Sequence, residues 1–221
     1  MNAIIGMTSL IRHDAGNKAK VIEYADKIDI SSQHLLGIIN DVLDMSKIES
    51  SKYEINAKPF NISSVLDEVY SVFGATMSTK GIRLTINSDA VTSPDVIGDE
   101  ISLRKILNNL LSNANKFTRS GGRVTIFASQ KQMNEKSSIL HLEVADTGVG
   151  ISEEFIGHLF EPYTQEMSEN GGRAAGSGLG MAICKSMIDL QGGSISVRSR
   201  LGEGTTFYVD IPYSLGKAAV K

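Results

Sequence analysis

A second cysteine is missing from this chain of 221 residues: Cys184 stands alone. No intrachain disulfide can form, which fits a reducing compartment. Long hydrophobic runs are missing too. No stretch reaches about 18 apolar residues, so no segment reads as a membrane span. The first ten residues lack the basic start and the apolar length of a signal peptide. There is no excess of positive charge. Lys and Arg number 22 against 25 Asp and Glu, a net charge of −3, which speaks against nucleic acid as a partner. The four histidines, His13, His34, His141 and His158, have no metal-ligand spacing to one another or to Cys184, and they read as structural. What is left is an ordinary globular composition, 41% hydrophobic and 21% charged, with no internal repeat. The length allows one large domain or two small ones.

Residues 1–57 read as helix. Val21, Ala25, Ile28, Ser32, Leu35, Ile39 and Val42 alternate steps of four and three, an a/d stripe over about three heptads. A shorter apolar stretch, 1–11, precedes it across the turn Asp14-Ala15-Gly16-Asn17. Two helices so joined form a hairpin with a long apolar seam. A dimeric four-helix bundle would bury that seam; a hairpin packed on its own domain is the alternative.

Lys58-Pro59-Phe60-Asn61 marks the start of a second domain, 58–221, because Pro59 disfavours helix at Lys58. Asn61 or Ser63 then caps a helix carrying Val65, Leu66, Val69, Phe73 and Met77 on one face. Period-two alternation predicts strands at 82–87, 123–129, 138–145, 194–199 and 206–211, with helices at 99–117 and 179–191. The expected class is α+β: a helical hairpin followed by an α/β sandwich, one mainly antiparallel sheet with helices on one face.

Four segments of the second domain carry chemistry. In the helix 99–117, Leu103, Ile106, Leu107, Leu110, Leu111 and Ala114 make an apolar face. Asn109, Asn113 and Lys116 share the other side at steps of four and three. An amide oxygen is a hard ligand suited to Mg²⁺, and a lysine is a point charge for phosphate. Alone, this reads as a solvated polar face. Asp146-Thr147-Gly148-Val149-Gly150 follows a strand. Its carboxylate can accept the exocyclic amine of adenine and exclude guanine, which has a carbonyl there. Alone, it is a β-turn. Gly176-Ser177-Gly178-Leu179-Gly180 leads into a helix, where backbone N–H groups can meet phosphate oxygens. Gly202-Glu203-Gly204-Thr205-Thr206-Phe207 reads as a hairpin turn.

In this order, with Phe160-Glu161-Pro162-Tyr163 between the second and third, the segments resemble the N, G1, F, G2 and G3 boxes of the histidine-kinase-type ATPase domain. The resemblance covers about the last two-thirds of the chain. It implies ATP as substrate, Mg²⁺ as cofactor and phosphoryl transfer as the reaction. It implies Asn113 as the Mg²⁺ ligand, with Asn113 and Lys116 as the catalytic pair and Asn109 and Lys116 on phosphates. Phe117 would border the base, Asp146, Gly148 and Gly150 would hold it, and Thr205 would lie near it. Gly176, Gly178, Leu179 and Gly180 would meet phosphates. Residues 160–177 resemble that family's ATP lid, from which Arg173 would reach the terminal phosphate. The family usually has an aliphatic residue where this chain has Asn115.

The hairpin adds to the resemblance. Met1-Asn2-Ala3-Ile4-Ile5-Gly6 resembles the end of the phosphoacceptor box of sensor histidine kinases, and 35–49 resembles the second helix of their dimerisation domain. The acceptor histidine would then lie upstream of Met1. The resemblance therefore implies a fragment that does not autophosphorylate, a homodimer through the N-terminal helices, and a response regulator or receiver domain as partner. It implies a cytoplasmic fragment of a membrane-anchored sensor. One competing reading is an ATPase of the gyrase, MutL and heat-shock chaperone group; those carry a catalytic glutamate on the N-box helix, where this chain offers Asn109. The other is a nucleotide-binding dimerisation module without catalysis.

Overall fold

The computed structural model describes residues 2–166 and 177–216. It divides into two compact units, Met1–Tyr53 and Glu54–Lys221. The first is a helical hairpin, α1 (Asn2–His13) and α2 (Lys18–Glu49). Asn17 caps α2 by accepting the Lys20 N–H at 3.2 Å. The Asp14 carboxylate fixes the turn. It bonds His13 at 3.2 Å, Lys20 at 3.2 Å and the Tyr24 hydroxyl at 3.0 Å, and these bonds hold its pKa below the usual carboxylate value.

The packed side of α2 is not quite the expected stripe. Val21, Tyr24, Ile28, Leu35 and Ile38 are half-buried and Met45 is buried. Of the predicted seam, Val21, Ile28, Ser32 and Leu35 lie on this side, while Ala25, Ile39 and Val42 face solvent. Ile22, Leu36 and Leu43 extend this exposed apolar surface. The hairpin also leaves much of α2 beyond the reach of α1. At 1.5 Å per residue the 32 residues of α2 outrun the 12 of α1 by roughly 30 Å, so α1 covers only part of the partner helix.

The second unit is built on a seven-stranded sheet. Its strands are β1 (Lys58–Asn61), β2 (Arg83–Ala90), β3 (Asp95–Gly98), β4 (Arg123–Asn134), β5 (Ser137–Asp146), β6 (Ser194–Arg200) and β7 (Gly204–Leu215). The order is β1-β3-β7-β5-β4-β2, with β6 also paired to β7. All pairs are antiparallel except β2 with β4. Leu140, Leu142 and Val144 of β5 and Phe207, Val209 and Ile211 of β7 alternate into the core. Helices α3 (Ile62–Thr79), α4 (Glu100–Phe117) and α6 (Gly180–Leu190) supply the other half of that core. A short α5 (Glu153–Ile156) lies between β5 and α6. Asn61, not Ser63, caps α3, accepting the Ser64 N–H at 3.1 Å.

Two strands were not expected from the sequence. β1 and β3 are four residues each, and Pro59 breaks the alternation of β1. β1 is tolerated as an edge strand, where a proline costs no ladder bond. The Phe60 ring meets Tyr213 edge-on, with centroids 5.4 Å apart. The Tyr213 ring also occupies the space beside Gly98, where an added Cβ would sit 2.3 Å from it.

Candidate functional site

Helix α4 is held at both ends. Asp99, 2% exposed, caps it by accepting the Ser102 N–H at 3.1 Å and the Ser102 hydroxyl at 2.9 Å. The ammonium of Lys80 donates to the carbonyls of Asn115 and Lys116 at the other end, where helix carbonyls lack partners. The apolar face from Leu103 to Ala114 is buried, each large side chain contributing about 1.5–3 kcal/mol. Asn109 and Asn113 are half-buried on the flank, and Asn108 and Lys116 are exposed. Lys116 Nζ lies 4.6 Å from the Phe117 ring centroid, and burial pulls its pKa down.

The start of α6 abuts this flank. A Cβ on Gly180 would stand 2.9 Å from Asn109 Oδ1, so the glycine permits the contact. The Asn113 amide nitrogen donates to Met181 Sδ at 3.3 Å. Leu179, buried, precedes the helix, and Ser177 Oγ accepts its N–H at 3.2 Å.

Asp146 ends β5. Its Oδ1 accepts the Gly148 N–H at 2.7 Å. Burial pushes its pKa up, opposed by the backbone N–H groups of Gly148 and Thr205. Gly148 is pressed between this carboxylate and α4: an added Cβ would sit 2.6 Å from Asp146 Oδ1 and 2.7 Å from the Phe117 carbonyl. Gly150 has φ +73° and no room for a side chain against the Arg200 carbonyl. The turn after β5 also bonds the β6–β7 hairpin, the Gly202 N–H reaching the Val149 carbonyl at 2.8 Å and the Ile151 N–H reaching Ser199 Oγ at 2.9 Å. Thr205 is paired with Asp146 in the sheet, and its hydroxyl meets Ser199 Oγ at 2.9 Å.

The structure thus brings Asn109, Asn113 and Gly180 together along α4 and α6. It gathers Phe117, Asp146, Gly148, Gly150 and Thr205 at the C-terminal end of α4. Gly178, with φ +72°, ties the two sides of the intervening segment, its carbonyl accepting the Tyr163 N–H at 3.0 Å. Arg173, Gly176 and the Gly171-Gly172 pair lie outside the described residues. Sequence reasoning missed Ser199 and Met181. Ser199 was readable as an inward position of β6; nothing in the spacing marked Met181. Glu100 pairs with Arg104 at 2.5 Å in the first turn of α4, well before Asn113 along the helix.

Two family descriptions match the chain. "Histidine kinase-, DNA gyrase B-, and HSP90-like ATPase" fits residues 98–215, and "His Kinase A (phospho-acceptor) domain" fits residues 1–51. The chain belongs to the histidine kinase family. Autoinducer 2 sensor kinase/phosphatase LuxQ of Vibrio vulnificus (strain CMCP6) is 35% identical over 217 residues, 98% of this chain and 25% of LuxQ. Signal transduction histidine-protein kinase BarA of Escherichia coli (strain K12) is 34% identical over 215 residues, 97% of this chain and 23% of BarA. Full-length ShkA in complex with AMPPNP is similar in structure, with a TM-score of 0.74 and 28% identity, over 91% of this chain and 40% of ShkA. The chain therefore spans about a quarter of the two curated kinases. Its helical part matches the phospho-acceptor domain and its α+β part the ATPase domain of that family. Among the described residues no helix is long and apolar enough to cross a membrane.

Proposed function

We propose that this chain transfers the γ-phosphoryl group of ATP to a histidine that is none of its own four. The observation that carries the reading is the half-buried Asp146 carboxylate, fixed by backbone donors beside Phe117. One oxygen is committed to the Gly148 N–H, and the other is suited to the adenine amine. Gly148 and Gly150 let the turn close against Phe117 and Arg200 and so hold the Asp146 carboxylate in place. Phe117 and Thr205 border the base.

The donor set also fits Mg²⁺. Among the described residues no three His, Cys, Asp or Glu side chains could hold a metal together. A single amide oxygen, Asn113, suits an ion that takes its other ligands from phosphates and water. Bound there, Mg²⁺ would supply charge neutralisation at phosphate oxygens. Asn109, Lys116 and the backbone of Gly178, Leu179 and Gly180 would orient the phosphates, with Gly176 and Arg173 as further phosphate contacts. The reaction asks for positioning and charge rather than covalent chemistry. The pKa of Lys116 is lowered but the group starts from 10.5, and an arriving phosphate favours its charged form.

None of His13, His34, His141 and His158 stands in a stretch that resembles the acceptor box, and this is the ground for placing the acceptor outside them. The exposed apolar surface of α2 supports a homodimer through the N-terminal helices. A response regulator or receiver domain would take the phosphoryl group onward, and the whole protein would be a membrane-anchored sensor with this part in the cytoplasm.

The test supplies γ-labelled ATP, Mg²⁺ and a separate helical hairpin carrying an acceptor histidine. Acid-labile, base-stable label on that hairpin is the expected result. Acid-stable label refutes histidine as the acceptor. ATP binding without any label leaves the binding-module reading standing in its place.

A further inference from the structure

Mg²⁺ binding by an asparagine has a difficulty that the family motif does not address. The amide has an oxygen end and a nitrogen end of nearly the same shape, and only the oxygen can ligate a cation. Something must decide which end faces the nucleotide. In α4 that choice is made by a residue of another helix. The Asn113 amide nitrogen lies 3.3 Å from Met181 Sδ. A thioether sulfur can accept a hydrogen bond and cannot donate one. The NH₂ end therefore belongs against the sulfur, and the oxygen is turned away from it. Met181 itself is 8% exposed and sits in the first turn of α6, directly after Gly180, which packs on Asn109. Its neighbours Ala182 and Ile183 are buried, so the turn that carries the sulfur is anchored in the core.

We propose that Met181 is a positioning residue for Mg²⁺: its sulfur holds the Asn113 amide in the one orientation that presents oxygen to the metal–phosphate group. The proposal rests on the reading of Asn113 as the metal ligand. Met181→Leu keeps the apolar volume and removes the acceptor. The amide can then present either end, and the weak bond that biased it is gone. Metal-dependent binding should weaken by about 2-fold if the two ends become equally populated, and by more where the nitrogen end is preferred. Metal-free ATP binding should not change, because the sulfur does not reach the base.

The experiment measures ATP affinity of the full chain by calorimetry with and without Mg²⁺, alongside thermal melting, for the parent, Met181→Leu, Met181→Gln and Asn113→Ala. The side-chain amide resonance of Asn113 is followed in the nucleotide-free state. Met181→Leu should lose part of the metal-dependent tightening, move that resonance and leave metal-free affinity in place. Met181→Gln, whose amide oxygen can accept the same hydrogen, should recover part of the tightening. If Asn113→Ala abolishes the metal dependence while Met181→Leu retains it in full, the positioning role is overturned and the ligand stands. If Asn113→Ala retains the dependence, the ligand reading itself fails. Equal losses with and without metal in Met181→Leu, with no recovery in Met181→Gln, reduce Met181 to a packing residue and overturn the proposal.

Discussion

Asp146→Asn changes one atom at the point where the base would be read. In the parent, Oδ1 accepts the Gly148 N–H at 2.7 Å and the backbone of Thr205 adds a second donor, leaving one carboxylate edge for the adenine amine. An amide has a single oxygen to divide between these demands. With the oxygen toward Gly148, its NH₂ faces the adenine NH₂; in the other orientation it faces the Gly148 N–H. Either way one donor meets another and a charged acceptor is lost. The expected cost is about 1–3 kcal/mol of ATP affinity, roughly 5- to 150-fold. Calorimetry with ATP and GTP reads it directly, with thermal melting as the control for folding. The parent should prefer ATP strongly, and the variant should lose ATP affinity while retaining its fold. Equal affinity of the parent for ATP and GTP, or an unchanged variant, would refute the reasoning. Burial raises the Asp146 pKa, so ATP binding should fall off on acidification sooner than an ordinary carboxylate would allow. The same shift makes the charged carboxylate a cost to the folded state: a folded pKa above the unfolded one means stability falls as pH rises through that interval.

Three further predictions concern the frame of the site. Asn115 Oδ1 is buried without a hydrogen-bond partner, so Asn115→Leu should raise stability by about 1 kcal/mol in thermal melts; a loss would show that the oxygen is satisfied. At His141 burial alone would lower the pKa, but the bonds from Asp210 at 2.6 Å and Glu143 at 3.3 Å outweigh it and the net shift is upward. This clamp across β5 and β7 should stabilise fully below about pH 6.5 and fade as pH rises through the raised value, and His141→Gln should flatten that slope in urea titrations; an unchanged slope would remove the clamp. Leu36 and Leu43 are 59% and 53% exposed on α2, so the parent should sediment as a concentration-dependent dimer and Leu36→Lys with Leu43→Lys should sediment as a monomer, each side chain withdrawing about 1.5–3 kcal/mol. A monomeric parent would count against the seam.

The parts of the fold that were legible in the sequence are those where one strong periodicity meets one partner. Helix α4 shows an unbroken apolar face, and β4, β5 and β7 alternate cleanly against it. Asn17 and Asn61 show why helix starts can be read: the capping side chain is a local signal. β1 and β3 were invisible because four residues carry too little pattern, and their pairing partner lies more than thirty positions away in the chain. The stripe of α2 divides between the side that packs on α1 and a side left exposed, because apolar residues occur on more than one side of the helix. The choice between sides depends on α1, which a helix-by-helix reading does not include. In the site, Asp146 and Gly148 follow from the turn itself. That Thr205 lies opposite Asp146, or that Met181 touches Asn113 across 68 positions, is set by sheet register and helix packing rather than by spacing.

The measurement that bears most directly on the nucleotide site is an amide chemical-shift map of the chain, titrated with a non-hydrolysable ATP analogue and Mg²⁺. Shifts should concentrate at Asn109, Asn113, Lys116 and Phe117, through residues 146–150, at residues 178–180 and at Thr205, with the outer face around the exposed Phe127 and the half-buried Tyr208 left quiet. Shifts confined to that outer face or to the helical hairpin, or no shifts at saturating analogue, would contradict it.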